Sequence, residues 1–382
     1  MMASEQHEWA DDFGLMIPSV NARLADEEEV VDQVDDIQDV IDDFDSYFQQ
    51  IDNSSNPTQS EVEAFQDTAS DLNTRLNAFS NDTMRANAGL GLGLAIPSSS
   101  VSFGIFTNGN LTATVRGELD KDDSALLESI ATAADANDLQ TIINNAETDS
   151  DGNLKLDSRG KVLASAVIEA GVSLATTLNL DNENALQIGV SPKYVQLRTY
   201  QYTETVSGFE DEDFDSDEYQ TQKSGFNMDI GAAYAFGQDN QWNTGIMVRN
   251  IIPMELDSAR AKPGLEEKRT LELNPMVTAG ISHKSDYHVL TAEVDLTKKE
   301  AFGYEDDTQW VALGAELDAW HWAQLRAGVR HNLASNDDNN GIEEDTQFTA
   351  GVGLNIIGIR IDVGGLYSSA DVGAAIELGS AF

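Results

Sequence analysis

Residues 346–382, "TQFTAGVGLNIIGIRIDVGGLYSSADVGAAIELGSAF", decide the fold. Phe348, Ala350, Val352, Leu354 and Ile356 alternate with Gln347, Thr349, Gly351, Gly353 and Asn355. Ile357, Ile359, Ile361 and Val363 then stand opposite Gly358, Arg360, Asp362 and Gly364. Val372, Ala374, Ile376 and Leu378 repeat the pattern opposite Gly373, Ala375, Glu377 and Gly379, up to a terminal Phe382. Alternation of this kind marks strands with two different faces.

Moving outward, the same period recurs in "ANAGLGLGLAI", "ASAVIEAGVSLATTLNL", "FNMDIGAAYAF", "LELNPMVTAGIS" and "QLRAGVR". About 14 strands are predicted, near 84–96, 100–108, 110–120, 161–180, 184–206, 223–237, 241–252, 268–283, 287–298, 308–318, 321–333, 346–356, 357–367 and 371–382. Many run to ten residues or more, whereas globular strands average about five to six and tilted membrane-spanning strands need about nine to eleven. The connections also sort by end. Links near 108–110, 181–183, 238–240, 284–286, 319–320 and 356–358 are tight, and most of those alternating with them are long and polar. Short turns at one end and long loops at the other are the mark of an outer-membrane β-barrel. The fold class expected is therefore an all-β membrane barrel of antiparallel strands, with a soluble acidic β-sandwich as the alternative.

In a barrel the apolar face meets lipid. The interior then carries Arg116, Glu169, Asp229, Arg249, Glu272, Glu293, Asp295, Glu316, Arg326, Arg330, Arg360, Asp362 and Glu377. Facing lipid, such charges would cost several kcal/mol near the bilayer centre; lining a lumen, they can be hydrated or paired. Trp242, Tyr287, Trp310, Trp320 and Trp322 lie near strand ends and suit interfacial girdles.

Residues 1–82 read differently from the barrel at 83–382. Val30, Val34, Ile37, Ile41, Phe44, Phe48 and Ile51 recur at helical spacing, as do Val62, Phe65, Ala69, Leu72, Leu76 and Phe79. An acidic helical hairpin results, its second helix capped by Ser60 with Glu63. It follows a short extended piece, "FGLMIPSV", and precedes the first predicted strand, as a plug or periplasmic element would. A further helix at 124–143 lies in the external connection 121–160.

Lys plus Arg number 22 against 67 Asp plus Glu, a net charge of -45. Such a chain repels phosphate backbones, so no nucleic-acid partner is expected. There is no cysteine, which excludes disulfides, thiolate metal sites and cysteine nucleophiles. No apolar run is long enough for a membrane helix, a test to which β-strands are blind.

Chemistry-bearing motifs are few. The acidic runs at 210–218 and 335–345 could gather divalent cations, or form solvated loops. "ETDSDGNLKLD", 147–157, partly matches a calcium loop through Asp149, Asp151 and Gly152, with Asp157 near its end. Position twelve is Ser158 instead of a bidentate carboxylate, and an Asp/Gly turn explains the residues equally well. No metal site or cofactor is assigned. No nucleophile elbow, phosphate loop or dinucleotide fingerprint occurs, and "GLGLGL" is strand glycine. An enzyme is not expected.

The segments "DDFGLMIPSVNARLADEEEVVDQVDDIQDVIDDFD" at 11–45, "NAGLGLGLAIPS" at 87–98 and "IGVSPKYVQLRTYQY" at 188–202, with the terminal strand, resemble the FadL-type superfamily of outer-membrane barrels. More closely, they resemble its TraF-like conjugal-transfer family. The resemblance implies a monomeric 14-stranded barrel whose N-terminal part occludes the lumen, with hydrophobic small molecules passing without energy input. Family members of this kind begin with a signal peptide, so several tens of residues are expected to precede "MMASEQ" in the natural precursor. Ile376, Leu378 and Phe382 resemble the terminal signal read by the outer-membrane insertion machinery. The function expected is a passive channel for small hydrophobic solutes in the bacterial outer membrane, with outer-membrane lipid around it. The alternative is an assembly component of an envelope or conjugation apparatus.

Overall fold

In the computed structural model, the described residues are 14–26, 28–54, 56–98, 100–149, 152–179, 185–206, 216–318, 322–335, 341–356 and 359–381. The first half of the chain forms β1 (Gly14–Ala25), α1 (Val30–Asp52), α2 (Gln59–Phe79), β2 (Thr83–Ile96), β3 (Ser102–Glu118), α3 (Lys121–Ala131), α4 (Ala136–Asn145), β4 (Arg159–Asn179) and β5 (Ala185–Thr205). There follow β6 (Gln220–Phe236), β7 (Trp242–Arg249), β8 (Met254–Asp257), β9 (Thr270–Leu273), β10 (Met276–Lys284) and β11 (His288–Asp295). The chain closes with β12 (Trp310–Asp318), β13 (Ala323–Asn332), β14 (Thr346–Ile356), β15 (Ile359–Tyr367) and β16 (Val372–Ala381).

Among the described residues, fourteen of these strands close into an antiparallel barrel in the order β1-β16-β15-β14-β13-β12-β11-β10-β7-β6-β5-β4-β3-β2. Its outer surface is a belt of apolar side chains. Leu90, Ile105, Ile246, Leu313, Val363 and Ile376 are all exposed, an arrangement that suits lipid and not water. The soluble-sandwich alternative therefore fails.

The strand count of the sequence reading holds, but its make-up does not. β1 was not among the expected strands. Its outward positions are Leu15 before a register shift between Ile17 and Val20, and Val20, Ala22 and Leu24 after it. Pro18, which has no N–H to give a ladder, sits in that shift. The bulge changes the phase of the alternation, so a period-two pattern cannot show. In compensation, the strands expected at 100–108 and 110–120 are one strand, β3. "NGN" at 108–110 looks like a turn locally, yet Gly109 pairs with both Leu90 and Ile168. The strand expected at 268–283 divides at Asn274 and Pro275 into β9 and β10, and β9 pairs with β8 away from the wall.

Because β1 is in the barrel, β16 closes against β1 and not against β2. The helical hairpin α1–α2 then joins β1 to β2 at the end where the long connections lie. This corrects the expectation of a plug or periplasmic element preceding the barrel. The helices bury their apolar stripes against one another and against α3 and α4. Phe44, Phe65, Leu72, Leu127, Ile130 and Leu139 are fully enclosed in this one core. α2 is capped by Thr58 with Glu61 in a capping box, two residues earlier than expected. The helix expected at 124–143 breaks at Asp135, whose carboxylate accepts from the Asn137 and Asp138 N–H groups to start α4.

The wall is uneven. β3 to β6 run to 17 or 21 residues, whereas β7 and β10 to β16 have 8 to 11, about one bilayer's worth. The tall side carries the helical domain. Trp242, Tyr287 and Trp322 stand exposed at the short-turn end as an aromatic girdle would. Trp310 does not join them, because it points inward. Trp320 and Phe382 lie outside the described residues.

Candidate functional site

The inward face of the strands is built from small and polar residues. Asn87, Gly89, Gly91 and Gly93 on β2 look inward, as do Thr349, Gly351 and Gly353 on β14. Such a face leaves a lumen, and three connections fold back into its upper part.

The connection after β7 turns at Asn250, whose φ is 56°. Its N–H donates to Asp229 Oδ1 at 2.8 Å. Ile252 N–H donates to the Asn227 side chain at 3.1 Å, and Asn227 Nδ2 returns a bond to the Ile252 carbonyl at 2.8 Å. The β8–β9 hairpin is thereby laid along the inner face of β6. The connection between β11 and β12 goes further and crosses to the opposite wall. Phe302 is buried among Leu163 of β4, Val195 and Leu197 of β5, Met254 and Leu271. Tyr304 N–H donates to Thr114 Oγ1 of β3 at 3.2 Å. The Tyr304 ring lies between two guanidinium groups, 5.2 Å from Arg116 and 4.7 Å from Arg269. Burial raises the pKa of its phenol, with both arginines acting in the opposite sense. A third connection, before β14, pairs Ile342 with this crossing segment: Ile342 N–H donates to the Tyr304 carbonyl at 3.1 Å.

A charged network anchors this plug. Arg85 of β2, with a side chain only 1% exposed, pairs with Glu305 at 3.0 Å, with Glu344 at 2.5 Å and with Asp371. Arg23 of β1 pairs with Glu344 and Asp371 from the other side. Gln347 donates to Glu344 at 2.6 Å and accepts from Arg330 at 2.6 Å, and the Arg330 guanidinium stacks on Trp310 at 4.3 Å. Buried carboxylates survive because every one here meets a guanidinium; removing a partner from such a pair costs about 3–5 kcal/mol.

The residues expected in the lumen fall into several groups. Glu169 and Asp229 hold Lys193 between them at 2.7 and 2.8 Å. Arg326 joins Glu316 to Asp362, which Arg360 also meets at 2.7 Å. Asp295 accepts from Thr278 at 2.8 Å and from the Trp310 N–H at 3.2 Å, closing a strand end. Arg116 stacks on the plug. Arg249 is at the end of β7 and makes no ion pair among the described residues, and Glu272 belongs to the β8–β9 hairpin instead of the wall. Arg23, Arg85, Lys193 and Tyr304 were not singled out by the sequence reading. Arg85 shares the inward phase of Asn87 and Gly89, so its position was legible; Arg23 lay on the strand that the bulge concealed.

Beneath the plug two cavities open, of about 620 and 740 Å³. The first is framed by β2 to β7, β10 and β11 with Gly14 of β1, the second by β1 and β11 to β16. Their walls are mainly the carbon and hydroxyl surface of Gly, Ala, Ser and Thr.

Among its described residues, the calcium-like segment forms no ligand set. Asp149 folds back on its own turn, its carboxylate accepting from Asn153 N–H at 2.9 Å, while Gly152 takes φ 85°. Asp157 pairs with Lys155 at 3.1 Å, and Asp151 lies outside the described residues. Most of the acidic run at 210–218, and part of that at 335–345, also lies outside them. No group of three or more metal-binding side chains occurs among the described residues.

A family model described as "F plasmid transfer operon, TraF, protein" matches residues 1–295. Among solved structures, a TodX monoaromatic hydrocarbon channel mutant is 10% identical, covering 97% of this chain and 90% of its own, with a TM-score of 0.49. The CymD monoaromatic hydrocarbon channel is 12% identical over 97% and 89% of the two chains, with a TM-score of 0.48. A FadL homologue from Pseudomonas aeruginosa is 10% identical over 98% and 91%, with a TM-score of 0.45. No curated protein matches the chain.

Proposed function

The chain belongs to the family described as F plasmid transfer operon TraF protein, and from that premise we propose that it is a passive channel of the bacterial outer membrane for small, partly apolar solutes. One observation carries this reading. A lipid-facing barrel encloses two cavities of about 620 and 740 Å³, walled largely by Gly, Ala, Ser and Thr with paired charges in the second, beneath a plug made of its own connections. Cavities of this size suit small molecules, and such a route needs no energy input. Displacement of the plug is the step that admits solute. Ile376, Leu378 and Phe382 serve as the insertion signal in this reading, and the barrel works as a monomer.

Reconstituted liposomes test it. Small uncharged aromatic or aliphatic solutes are expected to enter faster than into empty vesicles, and faster again when the plug is loosened. Vesicles that stay sealed in both cases would sink the channel reading.

A second reading has its own support. The four-helix domain packs against Met84 of β2 and Val115 of β3 at the long-connection end, and its outer face is strongly acidic. As an assembly component of an envelope or transfer apparatus, the protein would use that face to hold a basic partner. Retention of transfer function by a chain lacking residues 30–79 would count against this.

A further inference from the structure

β1 and β11 each bound both cavities, and among the described residues only β11 brings the same side chains to the two. Val289, Thr291 and Glu293 of β11 line the first cavity and the second alike. A solute moving between the two along the β11 wall passes over Thr291 and Glu293. Glu293 is exposed to this space and makes no ion pair or hydrogen bond among the described residues.

The basic groups that line the two cavities are, by contrast, engaged. No lysine or arginine lines the first cavity among the described residues. In the second, Arg23 is held by Glu344 and Asp371, and Arg326 by Glu316 and Asp362. Arg330 is bonded to Gln347 and covered by Trp310. The unpaired charge lining the cavities among the described residues is thus negative: Glu293 lines both, and Glu377 lines the second.

We propose that Glu293 sets the charge selectivity of the lumen, favouring small cations and solutes bearing a protonated amine over anions. This rests on the channel reading above. A fixed carboxylate in a narrow, low-dielectric passage concentrates counter-charge and repels anions. At about 4 Å in water one unit charge enriches cations roughly fivefold and depletes anions roughly fivefold, a ratio of about 25, and more where water is reduced.

Planar bilayers containing the full chain, held across a KCl gradient, read the preference directly. The probe ions are potassium and chloride, and the plug-loosened variant Gly303→Val is measured beside the native chain. The reversal potential is expected to carry the cation sign. Glu293→Gln should lower the cation-to-anion permeability ratio by up to about 25-fold, and Glu293→Lys should invert it. Asp67→Asn, on the outer face of α2, should leave it unchanged. Heat-modifiable migration shows that each variant is folded. Current without cation preference, or preference indifferent to Glu293, overturns this inference alone. No current from either the native or the loosened chain overturns the channel reading and this inference together.

Discussion

Arg85 on β2 and Asp371 at the start of β16 are ion-paired across the intervening strand β1, with side-chain exposures of 1% and 0%. One arginine thereby fastens the closure of the barrel, and through Glu305 and Glu344 it fastens the plug as well.

Arg85→Ala leaves three carboxylates short of a partner. The loss is expected to be about 3–5 kcal/mol, read as a lowered denaturant midpoint for the heat-modifiable barrel. Solute entry into liposomes should rise at the same time. An unchanged midpoint would show that the network contributes little.

Gly303 rests directly on β3. A Cβ there would lie 2.4 Å from Thr114 Oγ1 and 3.0 Å from its methyl. Gly303→Val is expected to lift the crossing segment from the wall and increase liposome flux severalfold while the barrel stays folded. Flux equal to that of the native chain would mean that this segment does not close the lumen.

Phe44 and Phe65 meet in the helical core with ring centroids 5.1 Å apart, both wholly buried. Phe65→Ala should cost about 3–5 kcal/mol within the helical domain. Because that core is mostly helical, with the partly buried Met84 and Val115 of the barrel against it, its circular-dichroism melt should fall while the barrel still migrates in its compact form. Loss of both together would show that the two units are coupled.

Burial, followed by the nearby charges of Asp149 and Asp42, pushes the Asp45 carboxyl on α1 up to about 6. Its folded value lies above its unfolded value, so the folded chain takes up a proton between about pH 4 and 6. Stability from this group is therefore full at low pH and lost as pH rises through about 6. Asp45→Asn should flatten that dependence and raise helical stability at neutral pH by about 1 kcal/mol, allowing for the partial exposure of the group. A native helical melt that does not change across this window would contradict it.

The sequence by itself determined the two-faced strands, their bilayer-matched length, the sorting of turns and loops, and both helices of the hairpin. Each of these is a local consequence of side-chain period, as Phe348 to Ile356 and Phe44 to Ile51 show. It also placed Glu293, Arg326 and Asp362 on the inward phase, since parity along a strand fixes the face. Only the tertiary structure decided which strand is first, which connections fold into the lumen, and which charges are paired. β1 escaped because Pro18 and its bulge shift the phase of alternation. "NGN" stayed extended because neighbours on both sides hold Gly109 in register. The plug escaped because Tyr304 meets Thr114, Arg116 and Arg269, contacts between residues far apart in the chain that no local period records.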